Sequence, residues 1–316
     1  MKARSTFAVL MVCVGIGSSL LVAQHGRQTA TRDDQVVYPR LLQAGSAANT
    51  TTFSLVVSVR DQDGAPPREL SSTDLDVRVD GKSRPIRSVG PAGPFSLLLL
   101  VDTSASMTAV VSVRDLREGL TTMTSQLGPS DRLRMAAFNA DVELGPDFGS
   151  ALPTILGFVN TISYRNATRL YDGLASGLAT LEHVAGRRVV VVVSDGSDTD
   201  SRLTGDEVLR RVRGSDVQIA AVLPRNPRPA LSGRAPDKAL LRIIADTGGT
   251  YVQPKGLASV ASALSDVVRD VQEQFRLEVE ATRLDGKPHE LSVRSKHARW
   301  TVRAARSSLV RATSPE

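Results

Sequence analysis

Cysteine is almost missing from this chain: among 316 residues there is one, Cys13, and it lies inside an apolar N-terminal stretch. A fold built on disulfides is therefore excluded, and stability must come from a packed core. Aromatic residues make up only 4%, and none is interleaved with basic residues in a recognised pattern, so the stacking platforms used for nucleic acids are lacking. Histidine is scarce as well. His25, His183, His289 and His297 are scattered, no HExxH occurs, and none joins a serine and an acid in a nucleophile motif, so hydrolase readings have no positive support. No block of like charge interrupts the chain, although a formal charge of +6 and a pI near 9.8 give it a basic, arginine-rich exterior.

Hydrophobic residues are plentiful, at 41% of the chain. That is enough to bury a full α/β core with a smaller second unit beside it. Met1 to Ala23 begins with Lys2 and Arg4, continues apolar from Phe7 to Val22 and ends on a small residue. The pattern is that of a secretory signal, or of a marginal membrane anchor if uncleaved, and it implies a secreted or periplasmic protein. Residues 24–51 are polar and without periodicity, and are expected to be a linker.

Phe53, Leu55, Val57 and Val59 then alternate at period two, as do Leu75, Val77 and Val79, which run into the hairpin dipeptide Asp80-Gly81. Ile86 and Val89 are expected on the return strand, so that 52–90 forms an N-terminal β segment.

From Phe95 strands alternate with helices. Leu97 to Val101 is an apolar run, and Val110, Val113, Leu116, Leu120, Met123 and Leu127 recur at helical spacing up to Gly128-Pro129. Further on come the Leu-striped helix of Leu170, Leu174, Leu178 and Leu181, and the five valines Val189 to Val193, which read as a central strand buried on both faces. This order predicts an α/β domain over 94–274, a doubly wound and mostly parallel sheet with helices on both faces. The proline-rich loop 224–236 is expected at the surface.

Beyond Gln274 period two returns with Phe275, Leu277 and Val279, the turn Asp285 to Pro288, Leu291 and Val293, then Trp300 and Val302. Neither terminal set is large enough to stand alone. Residues 52–90 and 275–305 are therefore expected to pack together as one β unit that includes Trp300, leaving 306–316 as a tail.

In an open α/β sheet, ligands gather beyond the carboxyl ends of the strands. Asp102, Ser104 and Ser106 follow the apolar run, Asp195 follows the valine strand, and Thr168 opens the Leu-striped helix. Two carboxylates and three hydroxyls are hard oxygen donors that suit Mg²⁺, Mn²⁺ or Ca²⁺ rather than Zn²⁺. Taken alone, Ser104 and Ser106 read equally well as caps of the following helix. Asp198 and Asp200 read as turn and helix-start residues with solvated carboxylates, or Asp198 as part of the rim of the site; the tract lacks the spacing of an EF-hand.

Asp102-Thr-Ser104-Ala-Ser106, with Thr168 in the segment 165–172 and Asp195 in SerAspGly, resembles the DxSxS pattern of von Willebrand factor type A domains and their metal-ion-dependent adhesion site. The flanks ValSerValArgAspGlnAspGly, AsnAlaThrArgLeuTyrAspGlyLeu and SerAspGlySerAspThrAspSer resemble a secreted bacterial subfamily first described from Acidobacteria. Asn166-Ala167 departs from the glycine that many members carry before the threonine. The resemblance implies binding rather than catalysis: a divalent cation held by Asp102, Ser104, Ser106, Thr168 and Asp195, with one position open to a Glu or Asp of a protein partner, in adhesion or assembly. Two alternatives stay open from the residues themselves. One is a Mg²⁺-dependent phosphatase or other hydrolase, although Ser104 stands where an aspartyl-nucleophile enzyme would want its second acid. The other is a scaffold whose cation only stabilises the fold.

Overall fold

The computed structural model describes residues 52–165, 167–225, 235–254, 260–280 and 285–311. The expected leader over 1–23, the linker over 24–51, most of the proline-rich loop and the last residues of the tail lie outside the described residues. Among those described, no helix is long and apolar enough to cross a membrane.

The chain runs through β1 (Thr52–Arg60), β2 (Leu75–Val79), β3 (Lys82–Arg84) and β4 (Ile86–Pro91) before the α/β region. That region comprises β5 (Phe95–Asp102), α1 (Val113–Gln126), β6 (Arg132–Phe138), β7 (Val142–Leu144), α2 (Leu152–Val159) and α3 (Leu170–Leu181). It continues with β8 (Arg187–Val193), α4 (Gly205–Arg213), β9 (Val217–Val222), α5 (Lys238–Asp246), β10 (Tyr251–Val252) and α6 (Val260–Gln272). The chain closes with β11 (Phe275–Glu280), β12 (Asp285–Ser295), β13 (Thr301–Ala304) and β14 (Ser307–Arg311).

The central sheet has the order β10-β9-β8-β5-β6-β7. It is parallel except for β7, which returns antiparallel on β6. All of β5 is buried, because it lies mid-sheet with helices on both faces. Period two then sorts its side chains. Leu97, Leu99 and Val101 join one core with α1, α2 and α6, together with Val189, Val191 and Val193 of β8. Leu98 and Leu100 join the other core with α3, α4 and α5, together with Val190 and Val192. Gly173 lets α3 settle onto the sheet, since a Cβ there would stand 3.0 Å from the Phe138 ring.

After β5 the chain moves to β6 on one side, then crosses back to β8 on the other. The reversal opens a crevice at the carboxyl ends of β5 and β8, where loops from both halves meet.

The remaining strands form two four-stranded sheets, β13-β1-β11-β4 and β14-β12-β2-β3. Phe53, Leu55, Val57 and Val59 of β1 share a core with Leu75, Val77, Val79, Leu277, Val279 and Leu291, and Trp300 packs against it. The Asp80-Gly81 turn has positive φ at both residues, 49° and 76°, as a two-residue hairpin requires. Its return strand is β3, which pairs with β2. Ile86 and Val89 lie instead on β4, in the other sheet, paired with β11. β3 ends at Arg84, and from Pro85 onward the chain leaves this hairpin for the other sheet, where β4 begins at Ile86. Two further expectations are corrected. Asp285 to Pro288 belongs to β12 rather than to a turn, and 307–311 of the expected tail forms β14 on β12.

The β sheets are joined to the α/β region through α6. Only Glu273 and Gln274 separate α6 from β11. Asp270 on α6 receives Arg60 of β1 at 3.0 Å and also Arg303 of β13, while Glu273 pairs with Arg60.

Candidate metal centre

Asp102 ends β5 with no exposed surface. Its Oδ1 accepts the Ser104 backbone N–H at 2.8 Å, and its Oδ2 accepts the Ser194 hydroxyl at 2.7 Å. Both donors are neutral, and among the described residues no lysine or arginine is a partner of Asp102. Burial pushes the carboxyl up to about 6, against the lowering effect of the Ser194 and Ser104 bonds and with a further upward push from the negative charge of Asp195. Asp102 is thus buried beside a second carboxylate, and the hydrogen bonds it accepts among the described residues come only from neutral donors.

The turn after Asp102 is short and anchored. Met107 is fully buried at its centre, and the N–H groups of Val110 and Val111 return to the Met107 carbonyl. This turns the Ser104 and Ser106 hydroxyls towards each other, 3.1 Å apart. The alternative in which these serines cap the following helix does not hold. α1 is capped by Ser112 in a reciprocal box with Asp115, and Ser104 makes no side-chain cap bond.

Thr168 is buried just before α3. Its N–H donates to the Thr199 hydroxyl at 3.1 Å, and its carbonyl accepts the N–H groups of Thr199 and Asp200. Upstream, Arg165 donates its N–H to Thr103 O at 3.0 Å, which places it beside Ser104 in a parallel bridge. Asn139, at the end of β6, completes the stitching. Its Nδ2 donates to the Thr103 hydroxyl at 3.0 Å, and its carbonyl accepts the Arg169 N–H at 2.9 Å.

Asp195 follows β8 and accepts the Ser197 N–H at 3.0 Å. Gly196 must be glycine: its φ is +80°, and its N–H donates back to the Ser194 hydroxyl. Ser194 therefore links the two carboxylate-bearing strand ends. Asp198 and Asp200 are not simply solvated. Asp198 accepts from Leu170 N–H and from the Ser201 hydroxyl, and Asp200 is forked by Arg169 at 2.9 and 3.0 Å.

The fold thus brings Asp102, Ser104, Ser106 and Asp195 to one crevice and clips the Thr168 loop onto both sides of it. Among the described residues no three His, Cys, Asp or Glu side chains converge as a metal cluster. A cation here would need hydroxyl, water or incoming oxygens to complete its shell. Such a donor set fits Mg²⁺, Mn²⁺ or Ca²⁺. Sequence reasoning passed over Ser194, Asn139 and Thr199. Only Ser194 carried a signal, as the polar residue that ends the valine run.

Residues 97–197, a span that includes all five candidates, match the family model of the von Willebrand factor type A domain. No curated protein matches the chain. Among solved structures, the chain is similar to a von Willebrand factor type A protein from Catenulispora acidiphila, at 10% identity over 84% of this chain and 75% of that one, TM-score 0.48. It is also similar to proximal thread matrix protein 1 of the mussel byssus, whose MIDAS motif is zinc-occupied, at 16% identity over 62% and 50%, TM-score 0.48. A third is the von Willebrand domain of the type V pili tip protein Mfa5 from Porphyromonas gingivalis, at 10% identity over 56% and 95%, TM-score 0.44.

Proposed function

We propose that this chain, which carries a von Willebrand factor type A domain, is an exported, cation-dependent protein-binding module rather than an enzyme. Asp102, Ser104 and Ser106 hold a divalent cation, Mg²⁺ or Mn²⁺ or Ca²⁺, from one loop, Thr168 from a second, and Asp195 from a third, directly or through water. A Glu or Asp of a protein partner completes the coordination, and adhesion or assembly is the consequence. The observation that carries the reading is the burial of Asp102 beside Asp195 with neutral donors only. A divalent cation supplies the missing charge, and hydroxyl ligands neutralise little of it, which leaves the ion electrophilic towards an incoming carboxylate. Export is supported by the leader-like pattern of Met1 to Ala23.

Calorimetric titration with Mg²⁺ or Mn²⁺ tests the site. One site is expected, lost in the Ser104→Ala, Ser106→Ala double variant; unchanged binding in that variant would overturn the assignment. Cross-linking in cell-envelope extracts with and without chelator tests the partner, which is expected only when cation is present. Turnover of a generic phosphoester, abolished by Asp102→Ala, would replace the binding reading with a catalytic one.

A further inference from the structure

We propose, building on the cation-binding reading above, that Arg165 is a second anchor beside the cation, so that the partner engages this face through two acidic groups. One meets the cation and the other meets the Arg165 guanidinium.

Register carries the argument from backbone to side chain. Ser104 and Arg165 are partners in a parallel bridge, closed by the Arg165 N–H on Thr103 O. Neighbouring extended segments lie about 4.8 Å apart, and paired residues project to the same side of the ladder, because alternation of faces runs along a strand and not across it. The Ser104 side chain turns to the candidate centre, where its hydroxyl meets that of Ser106. The Arg165 stem therefore rises on that same side, one strand spacing from a cation ligand.

Availability is the second part. Arg169, four residues on, has its guanidinium committed to Asp200 and to the Ala140 carbonyl. Arg165 is exposed, and among the described residues its guanidinium has no ion-pair partner and only its backbone N–H is engaged. Its backbone is nonetheless held, by the bond to Thr103 O and by the Tyr164 hydroxyl on Val111 O at 3.1 Å. An exposed arginine is most often merely solvated. This one combines a fixed Cα, an uncommitted fork and a place in register with a metal ligand, so little ordering entropy opposes its use. With its Cα about 4.8 Å from that of Ser104, the flexible Arg165 side chain can lean to meet a second carboxylate two residues along an extended peptide, about 6.6 Å from the first.

The test uses the Mg²⁺-loaded full chain and two blocked peptides, Glu-Ser-Glu and Glu-Ser-Gln, with binding followed by calorimetry. The doubly acidic peptide is expected to bind about fivefold tighter, the size of one exposed charge pair. That advantage should vanish in Arg165→Gln and reverse in Arg165→Glu, while both variants still bind one Mg²⁺, no more weakly than the parent because a nearby positive charge has been removed. Equal binding of the two peptides by the parent, or an advantage that survives Arg165→Gln, overturns the proposal and leaves the cation site standing. Failure of the parent to bind Mg²⁺ overturns both.

Discussion

Asp198 caps a helix that begins 28 residues before it: its Oδ1 accepts the backbone N–H of Leu170, the first residue of α3, at 2.9 Å. The residue in the ordinary capping position, Arg169, makes no side-chain cap bond. Ser201 continues the borrowed cap by accepting the N–H groups of Tyr171 and Asp172. A carboxylate facing the positive end of a helix and bonded to its first free N–H stabilises it by about 1 kcal/mol. Here the cap has a second effect, because it ties the loop that carries Thr168 to the loop that carries Asp195.

Asp198→Ala is therefore expected to lower stability by about 1 kcal/mol in thermal or denaturant unfolding. It should also weaken Mg²⁺ binding several-fold, although Asp198 is not itself a proposed ligand. Asp198→Asn, which keeps an acceptor oxygen, should restore most of both. A variant that loses stability and keeps full cation affinity would show that the cap serves the helix alone.

Cation binding should depend on pH through Asp102. Its carboxyl is pushed up to about 6, above the ordinary value, so between roughly pH 4 and 6 the folded chain holds a proton that the unfolded chain has released. The sign follows. In the cation-free protein this group's contribution to stability is full below about pH 4 and is lost as pH rises through 6. Mg²⁺ needs the ionised form, so its apparent affinity should fall by about tenfold per pH unit below 6 and level off above it. Asp102→Asn keeps an oxygen for Ser104 N–H and offers an N–H₂ to the Ser194 hydroxyl. It should abolish cation binding and leave the cation-free protein at least as stable at pH 7. Calorimetric titrations across pH 5 to 8 check the first part, and unfolding curves check the second.

Ser194 supplies a sharper version of the same test. Its hydroxyl bond to Asp102 is the foremost influence opposing the upward shift. Ser194→Ala removes that bond, so the midpoint of the pH dependence should move above 6 and Mg²⁺ affinity at pH 7 should drop. An unmoved midpoint would mean that Ser194 does not tune the carboxylate.

Features legible in the sequence were those written in consecutive residues. Leu97 to Val101 and Val189 to Val193 announced strands buried on both faces, and Asp80-Gly81 announced a hairpin, because each depends on its own backbone and immediate neighbours. Strand ends also indicated where Asp102, Ser104, Ser106 and Asp195 would stand. What depended on distant partners was not legible. Nothing near Asp198 marks it as a cap, since Leu170 reaches it only after α3 and β8 have packed. The change of sheet after Arg84 is likewise unmarked locally, since it depends on the pairing of β4 with the distant β11. The segment Ser307 to Arg311 is too short and polar to show period two, and becomes a strand only through its pairing with β12.

The link between α6 and the β sheets yields the last prediction. The side chain of Asp270 is only 15% exposed and is shared by Arg60 and Arg303, with Ser58 and Gln274 also donating to it. Removing one acid from such a cluster leaves two half-buried guanidinium groups facing each other without their shared counter-ion. That costs more than the loss of an exposed ion pair, which is worth below about 1 kcal/mol. Asp270→Ala should therefore destabilise the chain by about 2 kcal/mol, less than the penalty for a fully buried pair because water still reaches these side chains. Asp270→Asn should recover part of this by accepting one guanidinium N–H. Because Val260, Leu264, Val267 and Val271 hold α6 in the core through apolar contacts that do not involve Asp270, Mg²⁺ affinity measured below the unfolding transition should be unchanged. Unfolding curves of both variants with and without Mg²⁺ check the claim, and a loss below about 0.5 kcal/mol would show that the cluster does not fasten the two parts together.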